Sequence, residues 1–161
     1  MGAPNFKIGF GFDVHQLEDG KEFWLGGIRI NHNKGAVGHS DADVLIHAIC
    51  DALLGAAGLR DIGFYFPNTD PKYKGIDSKK LLAKVISKIE ELNFKVGNVD
   101  CTVCAEQPKI NPHINHMKET LSAILKINNT DLSIKATTNE TMGFIGREEG
   151  ITAYAVALIY K

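Results

Sequence analysis

Hydrophobic and polar residues alternate along the start of the chain in a pattern typical of β-strands. Apolar side chains recur at every second position over residues 6–14, which predicts a first strand. The runs at 22–25 and 28–30 flank Gly26 and Gly27, and two glycines readily adopt the positive φ angles of a tight two-residue turn. We therefore expect a β-hairpin here, at the periphery of the fold.

Two later segments have apolar residues spaced as on one face of an amphipathic helix. The first runs to Leu54 from a cap at Ser40 or Asp41. The second begins at Asp77 or Ser78 and carries its lysines and glutamates on the outer face. The segment between these helices is rich in turn-forming residues, which is typical of a functional or mobile loop.

Three further strand patterns follow, over residues 98–105, 132–136 and 151–160. A third helix, with Pro112 near its start, lies between the first two of them. Strands that interleave with helices in this way predict a two-layer α+β fold, in which the helices pack on one face of a mixed β-sheet. The length predicts a single domain, residues 1–161.

Composition narrows the classes of function. Hydrophobic residues make up 44% of the chain and charged residues 23%, which is ordinary for a soluble globular protein. The net charge of -1 gives no electrostatic reason to expect binding to nucleic acid or to an anionic membrane. The sequence has no membrane-spanning apolar run and no signal-peptide pattern. We expect a bacterial cytoplasmic protein, or a mature plastid-type organelle protein from which a transit peptide was removed.

The three cysteines do not indicate a redox or metal site. Their odd number, in a chain without a secretory signal, indicates reduced thiols. Cys101 and Cys104 form a CxxC string, but a spacing of three on a strand places the two sulfurs on opposite faces. We interpret this CxxC as a coincidence.

Candidate metal ligands lie in the first third of the chain. Asp13 and His15 are two apart near the end of the first predicted strand, so both side chains leave the same face. His39, Asp43 and His47 recur every four residues and should stack along one side of the first helix. Either histidine could complete a site with the first pair, and two imidazoles with one carboxylate suit Zn²⁺ with an open fourth position. The alternative is a chance Asp-x-His pair and an ordinary hydrogen-bonded histidine.

Seven motifs, in order and with compatible spacing, carry a resemblance to a known family. They are FDVH at 12–15, HSDAD at 39–43 followed by His47, DALLGAAGLRDIG at 51–63, FPNTDP at 66–71, EQPK at 106–109, KATTNE at 135–140 and GREEGI at 146–151. The chain resembles the family of 2-C-methyl-D-erythritol 2,4-cyclodiphosphate synthases, enzymes of the non-mevalonate route to isoprenoids. Asn68 stands where this family more often has Asp.

The resemblance implies a homotrimer with an active site at each subunit interface, the sheets facing the threefold axis and the helices outside. It implies Zn²⁺ on Asp13, His15 and His47. A second ion, Mg²⁺ or Mn²⁺, would sit on the substrate diphosphate with Glu140 as its only side-chain ligand. His39 then contacts the substrate or the transition state, and an isoprenoid diphosphate could occupy an axial cavity of the trimer.

The implied reaction is a metal-dependent phosphoryl transfer within one molecule. The 2-phosphate of 4-diphosphocytidyl-2-C-methyl-D-erythritol 2-phosphate attacks the β-phosphorus, releases CMP and leaves 2-C-methyl-D-erythritol 2,4-cyclodiphosphate. The chief obstacle is repulsion between two anionic groups that have to meet, and metal ions relieve it. Because the nucleophile belongs to the substrate, no protein nucleophile is expected.

The resemblance also implies a role for each remaining site residue. His39 and Thr138 would be catalytic, since they can donate hydrogen bonds to phosphoryl oxygens as charge shifts. The residues that would bind substrate are Asp13, His15, His39, Ser40, Asp61, Ile62, Gly63, Phe66, Asn68, Asp70, Ala105, Pro108, Lys109, Ile110, Asn111, Thr137, Thr138, Glu140, Phe144 and Arg147. Of these, residues 105–111 would form the cytosine pocket. The alternatives are a surface or intersubunit salt bridge for Arg147 and simple packing for Phe144.

Two other functions remain open from the sequence. A zinc hydrolase would use the same three ligands to activate water and would need a general base, for which Asp43 is the only candidate nearby in sequence. A noncatalytic trimeric module would bind an isoprenoid diphosphate and use zinc only structurally. A closed site with four protein ligands would favour this second reading.

Overall fold

A computed structural model of the chain describes residues 5–161, so the first four residues of the predicted domain lie outside the described part. The strands are β1 (Phe6–Asp19), β2 (Phe23–Leu25), β3 (Ile28–Ile30), β4 (Lys34–Ala36), β5 (Lys95–Cys104), β6 (Leu132–Thr137) and β7 (Gly150–Tyr160). The helices are α1 (Val44–Ala57), α2 (Ile62–Tyr65), α3 (Ser78–Glu91), α4 (Ile114–Leu125) and α5 (Gly143–Gly146). Single 3₁₀ turns occur at Pro71–Tyr73, Asn111–His113 and Asn129–Asp131.

The main sheet has the strand order β4-β1-β7-β5-β6. Strand β1 is antiparallel to β4 and β7, whereas β5 is antiparallel to β7 and parallel to β6. This mixture of directions, with helices α1 and α4 against the sheet and α3 packed on those two helices, confirms the predicted mixed-sheet α+β fold. No helix in the described range 5–161 combines the length and the apolarity that crossing a bilayer requires.

Helix α1 lies against β1 at very short range. A Cβ atom at Gly9 would be 1.9 Å from the backbone oxygen of Ala52, and a Cβ at Gly11 would be 1.9 Å from that of Ala48. Only glycine allows the two backbones to approach so closely. The next residues on the same face of β1 are Asp13 and His15, and they therefore face the first turns of α1.

The opposite face of the sheet carries large apolar side chains that are exposed. We call this surface the open apolar face, and its exposed members are Phe6, Ile8, Phe10, Phe12 and Val14 on β1 and Tyr154, Val156 and Tyr160 on β7. Ile8 and Phe10 are 61% and 64% exposed. A contiguous apolar surface of this kind marks an interaction site.

The hairpin of β2 and β3 lies outside the main sheet but contributes to the core. Gly26 and Gly27 have φ angles of 60° and 79°, as the two-residue turn requires. Phe23 and Leu25 on its inner side are buried, being 1% and 0% exposed. The hairpin is thus peripheral in topology, but it is packed into the interior.

The first helix starts later than predicted. Its N-cap is Asp43, whose side chain accepts a hydrogen bond from the Ile46 N–H at 3.0 Å, so the predicted caps Ser40 and Asp41 lie in the preceding loop. His39 lies in that loop too, and it does not stack along the helix with His47 as the four-residue spacing suggested. The cause is tertiary, because the Asp43 carboxylate also accepts from the backbone of the hairpin turn and is fixed there.

Candidate metal centre and substrate cavities

Asp13, His15 and His47 each place one ligand atom at a corner of a small triangle, the ligand triangle. Oδ2 of Asp13 lies 2.9 Å from Nε2 of His15 and 2.9 Å from Nδ1 of His47, and the two nitrogens are 3.1 Å apart. In a tetrahedral zinc site with bonds of about 2.0–2.1 Å, neighbouring ligand atoms are about 3.3 Å apart. The ligand triangle is slightly smaller than one face of such a site, and its donor set fits Zn²⁺.

The outer nitrogens of both rings are held by hydrogen bonds. Nδ1 of His15 lies 2.9 Å from the carbonyl oxygen of Val37, which can only accept, so Nδ1 carries a proton. Nε2 of His47 lies 3.0 Å from the hydroxyl of Ser78 and 3.1 Å from that of Ser40. Nδ1 of His15 is thus protonated, and if Nε2 of His47 is protonated too, the neutral rings direct the lone pairs of their inner nitrogens toward Asp13.

Electrostatics at the ligand triangle favours positive charge. Burial raises the pKa of Asp13, but its hydrogen bonds with His15 and His47 outweigh burial and hold that pKa well below the usual range. Burial lowers the pKa of His15, but the contact with the Asp13 carboxylate outweighs it and leaves the pKa raised. The carboxylate therefore attracts a cation to this point, which either a proton or a metal ion can supply.

The ligand triangle adjoins a cavity of about 480 Å³, which we call the histidine cavity. Its walls include His15, Gly38, His39, Ser40, His47, Ile62, Gly63, Phe66, Asn68, Tyr73, Ile76 and Leu81. His39 contributes to the wall, where its Nε2 lies 3.2 Å from the carbonyl oxygen of Asp70. The structure therefore brings His47, and not His39, to the strand pair of Asp13 and His15.

A second, smaller cavity of about 140 Å³ collects other predicted residues, and we call it the threonine cavity. It is lined by Ala105, Glu106, Pro108, Lys109, Ile110, Asn111, Ala136, Thr137 and Thr138. Glu140 comes two residues after Thr138, which lines this cavity. Oε1 of Glu140 accepts a hydrogen bond from Oγ1 of Thr138 at 2.9 Å. The residues predicted to act together thus fall into two separate cavities within one chain.

The remaining predicted residues lie at neither of these centres. Arg147 makes a two-pronged ion pair with Glu149, at 3.0 and 2.9 Å, so the salt-bridge alternative describes its state in the single chain. Phe144 is exposed but packs against Gly150, where a Cβ would lie 2.8 Å from its ring. Asp61 caps α2 by accepting from the Phe64 N–H at 3.0 Å.

Two polar residues behind the metal centre were missed by the sequence interpretation. The hydrophobic pattern predicts only capping roles for Asp41 and Ser78, yet Ser78 contacts His47 and is itself hydrogen-bonded to Asp41. Nothing in their local sequence signals this contact, since 31 positions separate Ser78 from His47.

Comparison with known proteins identifies the family. The chain matches the YgbB family over residues 6–160. It is 61% identical over 154 residues to the 2-C-methyl-D-erythritol 2,4-cyclodiphosphate synthase of Porphyromonas gingivalis, a match that covers 96% of this chain and 95% of that protein. This chain belongs to the YgbB family of 2-C-methyl-D-erythritol 2,4-cyclodiphosphate synthases. The Bacteroides thetaiotaomicron synthase is 60% identical over 155 residues, which cover 96% of this chain and 98% of the relative.

Solved structures of cyclodiphosphate synthases share the fold. The bifunctional IspDF protein of Campylobacter jejuni aligns with a TM-score of 0.94 at 37% identity, over 98% of this chain and 43% of that longer chain. A CDP complex of Plasmodium falciparum IspF aligns with a TM-score of 0.86 at 33% identity, over 99% of this chain and 98% of that chain. The family resemblance carried by the sequence motifs is confirmed, and the chain is an enzyme of isoprenoid biosynthesis.

Proposed function

We propose that this chain converts 4-diphosphocytidyl-2-C-methyl-D-erythritol 2-phosphate to 2-C-methyl-D-erythritol 2,4-cyclodiphosphate and CMP, by a metal-dependent transfer within one molecule. The observation that carries the proposal is the ligand triangle beside an open cavity, in a member of the synthase family. Zn²⁺ bound to Asp13, His15 and His47 would supply Lewis-acid polarisation of a phosphoryl oxygen. Glu140 would hold Mg²⁺ or Mn²⁺ jointly with the substrate diphosphate, which fits its single, exposed carboxylate.

The protein's own contribution is orientation and hydrogen bonding. The walls of the histidine cavity would hold the substrate folded back on itself, and such orientation is worth up to about 7–11 kcal/mol in favourable systems. His39 and Thr138 would donate to the phosphoryl oxygens as charge shifts. No thiol is needed, and burial raises the pKa of Cys50 and raises that of Cys101 to about 12, so both remain protonated.

We further propose that the active site is completed by a second copy of the chain in a homotrimer. Two observations support this: the predicted residues divide between the histidine cavity and the threonine cavity, and the open apolar face needs a cover. The threonine cavity of one subunit would bind cytosine beside the histidine cavity of its neighbour. Support for a cytidine nucleotide comes from the Plasmodium falciparum relative, which is described as a CDP complex.

The assembly would place three open apolar faces around the threefold axis. An axial cavity lined by these faces would suit the chain of an isoprenoid diphosphate, with Arg147 as a partner for its anionic end. Since the relatives named above that match at about 60% identity are bacterial, we propose a cytoplasmic location.

The two alternative functions are less well supported by the geometry. The Asp43 carboxylate is fully buried and accepts from the N–H groups of Gly26, Gly27 and Ile46, so it is unsuited to act as the general base of a hydrolase. The metal-type cluster found among residues 5–161 has three ligands, which differs from the closed four-ligand site of a structural zinc.

A phosphorus NMR time course with the cytidylyl substrate, Zn²⁺ and Mg²⁺ tests the reaction. We expect CMP and a cyclic diphosphate in equal amounts, and no turnover with a chelator or in Asp13→Ala. Asp19→Ala removes an exposed carboxylate from the same strand and should leave turnover unchanged. An open-chain diphosphate would show that water is the nucleophile and would support the hydrolase. A metal-loaded trimer without turnover would support the binding module.

A further inference from the structure

We propose that Ser78 and Asp41 are positioning residues that fix which nitrogen of His47 faces the metal. The inference rests on the proposed function, since it concerns the metal site that this function requires. Oγ of Ser78 lies 3.0 Å from Nε2 of His47, whereas Nδ1 of the same ring belongs to the ligand triangle. Ser78 is 0% exposed, so its contact with the ring is shielded from bulk water.

The hydroxyl proton of Ser78 is committed to Asp41. Oγ of Ser78 lies 2.5 Å from Oδ1 of Asp41, and an ionised carboxylate can only accept, so Ser78 donates. The Asp41 carboxylate is held in place by backbone donors, because its Oδ2 accepts from the Ser78 N–H at 2.9 Å and its Oδ1 from the Asp43 N–H at 3.2 Å. With its only proton used, Ser78 presents lone pairs to His47, and this contact favours the tautomer of His47 that carries its proton on Nε2.

A proton on Nε2 leaves Nδ1 of His47 with a free lone pair in the ligand triangle. If Ser78 could instead donate to Nε2, the neutral ring would carry its proton on Nδ1, where it would occupy the place of the metal. The Asp41–Ser78 pair therefore selects the tautomer that can bind metal. Oγ of Ser40 lies 3.1 Å from Nε2, and once Nε2 is protonated this hydroxyl can accept from it as well.

The pair also connects the metal centre to helix α3. Ser78 is the first residue of α3, and both its N–H and its hydroxyl donate to Asp41, in the loop that leads into α1. The start of α3 and the approach to α1 are thereby held at a fixed distance from the His47 ring. Removing such an outer partner of a metal-binding histidine typically weakens metal affinity about 10–100-fold.

The test compares the Zn²⁺ dissociation constants of the parent, Ser78→Ala and Ser122→Ala, measured by competition with a chromophoric chelator. Ser122 is the matched control, because it is also a buried helix serine with a hydrogen-bonded hydroxyl, but it lies on α4, where its hydroxyl bonds to Glu119 and Asn129. We expect Ser78→Ala to bind Zn²⁺ about 10–100-fold more weakly and Ser122→Ala to match the parent. Asp41→Asn should lose less Zn²⁺ affinity than Ser78→Ala. An amide at position 41 can donate to Ser78 as well as accept from it, so it no longer fixes the direction of that hydrogen bond.

Two readouts separate positioning from a merely structural role. In the zinc-loaded parent, proton NMR should show a His47 Nε2–H signal that exchanges slowly with water, and this exchange should accelerate in Ser78→Ala. The thermal midpoint of the metal-free protein reports any general loss of stability. If Ser78→Ala lowers only that midpoint and keeps the parent's Zn²⁺ affinity, the positioning role is refuted.

The outcomes also separate this inference from the proposed function. A parent protein that binds no Zn²⁺ would overturn both. A parent that binds Zn²⁺ together with variants at both positions that bind equally well would overturn the inference alone. If Ser78→Ala does not fold, the Zn²⁺ affinity of Asp41→Asn provides the test. An unchanged Zn²⁺ affinity in that variant would contradict the proposed positioning role.

Discussion

Nδ1 of His47 lies 2.9 Å from Oδ2 of Asp13, although 34 positions separate the two residues in the sequence. The contact joins the first helix to the first strand and brings the third candidate ligand to the other two. The contact depends on Gly9 and Gly11, which let α1 approach β1, and on the Asp43 cap that fixes the start of α1. Its proposed use in catalysis depends in addition on a second subunit. Each of these can be tested separately.

If each active site is built from two subunits, two inactive variants should restore activity to one another. His39→Gln alters the histidine cavity and Glu140→Gln alters the residues beside the threonine cavity, so each homotrimer should be inactive. In a mixed trimer, one of the three interfaces combines two intact halves. An equal mixture refolded together should therefore recover up to about a quarter of the parent's CMP release. Mixed trimers that stay inactive would indicate that both residues act within one chain.

Gly11→Ala should destabilise the protein strongly. The new Cβ would lie 1.9 Å from the backbone oxygen of Ala48, so β1 and α1 would have to separate. We expect a loss of about 3 kcal/mol or more in the free energy of unfolding by urea. Gly55→Ala is the matched control within α1, since its Cβ would meet nothing closer than the Phe10 oxygen at 3.9 Å, and it should be neutral or up to about 1 kcal/mol more stable. Equal stability of the two variants would refute this account of the contact.

Asp43→Asn should destabilise the fold without a specific effect on catalysis. Oδ1 of Asp43 accepts from the Gly26 and Ile46 N–H groups, and Oδ2 accepts from the Gly27 N–H at 2.7 Å. An amide NH₂ would face one of these donors, at a cost of about 1–3 kcal/mol in the free energy of unfolding. Asp77→Asn, at the N-cap of α3, should cost little because asparagine caps equally well. If folded Asp43→Asn enzyme lost activity at least about 100-fold, a catalytic role for this carboxylate would have to be reconsidered.

The pKa of Asp100 should depend on Lys135. The ammonium of Lys135 lies 2.6 Å from Oδ2 of Asp100 and lowers the pKa of that carboxyl. A lowered folded-state pKa stabilises the fold above the unfolded value of about 3.9, and this stabilisation is lost as the pH falls through the folded value. Lys135→Met should move the pKa of Asp100 up toward the ordinary range, as measured by carboxyl-carbon NMR titration. An unchanged titration would show that the ion pair does not persist in solution.

The sequence predicted those features of the candidate metal centre that depend on local geometry. Asp13 and His15 lie two apart on one strand, so their common direction follows from the strand itself. The choice between His39 and His47 could not be made in this way, because it depends on where α1 begins. That start is fixed by the bonds of Asp43 to a hairpin turn 16 and 17 residues earlier, which no local pattern reveals.

The same limit applies to the strands. The alternation over residues 6–14 predicted β1 correctly in type, but it could not tell which of the two faces would be covered by helices. The glycines decide this, since Gly9 and Gly11 leave room for α1 on one face while phenylalanines occupy the other. Sequence periodicity indicates that a strand has two different faces. Which face is covered by helices depends on the elements that pack against it.

The contact between α1 and β1 has a consequence for ion selectivity. Two of the candidate ligands stand on the strand and one on the helix, and the main chains of these elements touch next to the ligands, without intervening side chains. Because the two main chains are in contact, the Cα positions of the three candidate ligands are held close together, and only side-chain rotamers remain to adjust the distances between their ligand atoms. We therefore expect the main-chain spacing to limit the size of any ion that this candidate centre binds.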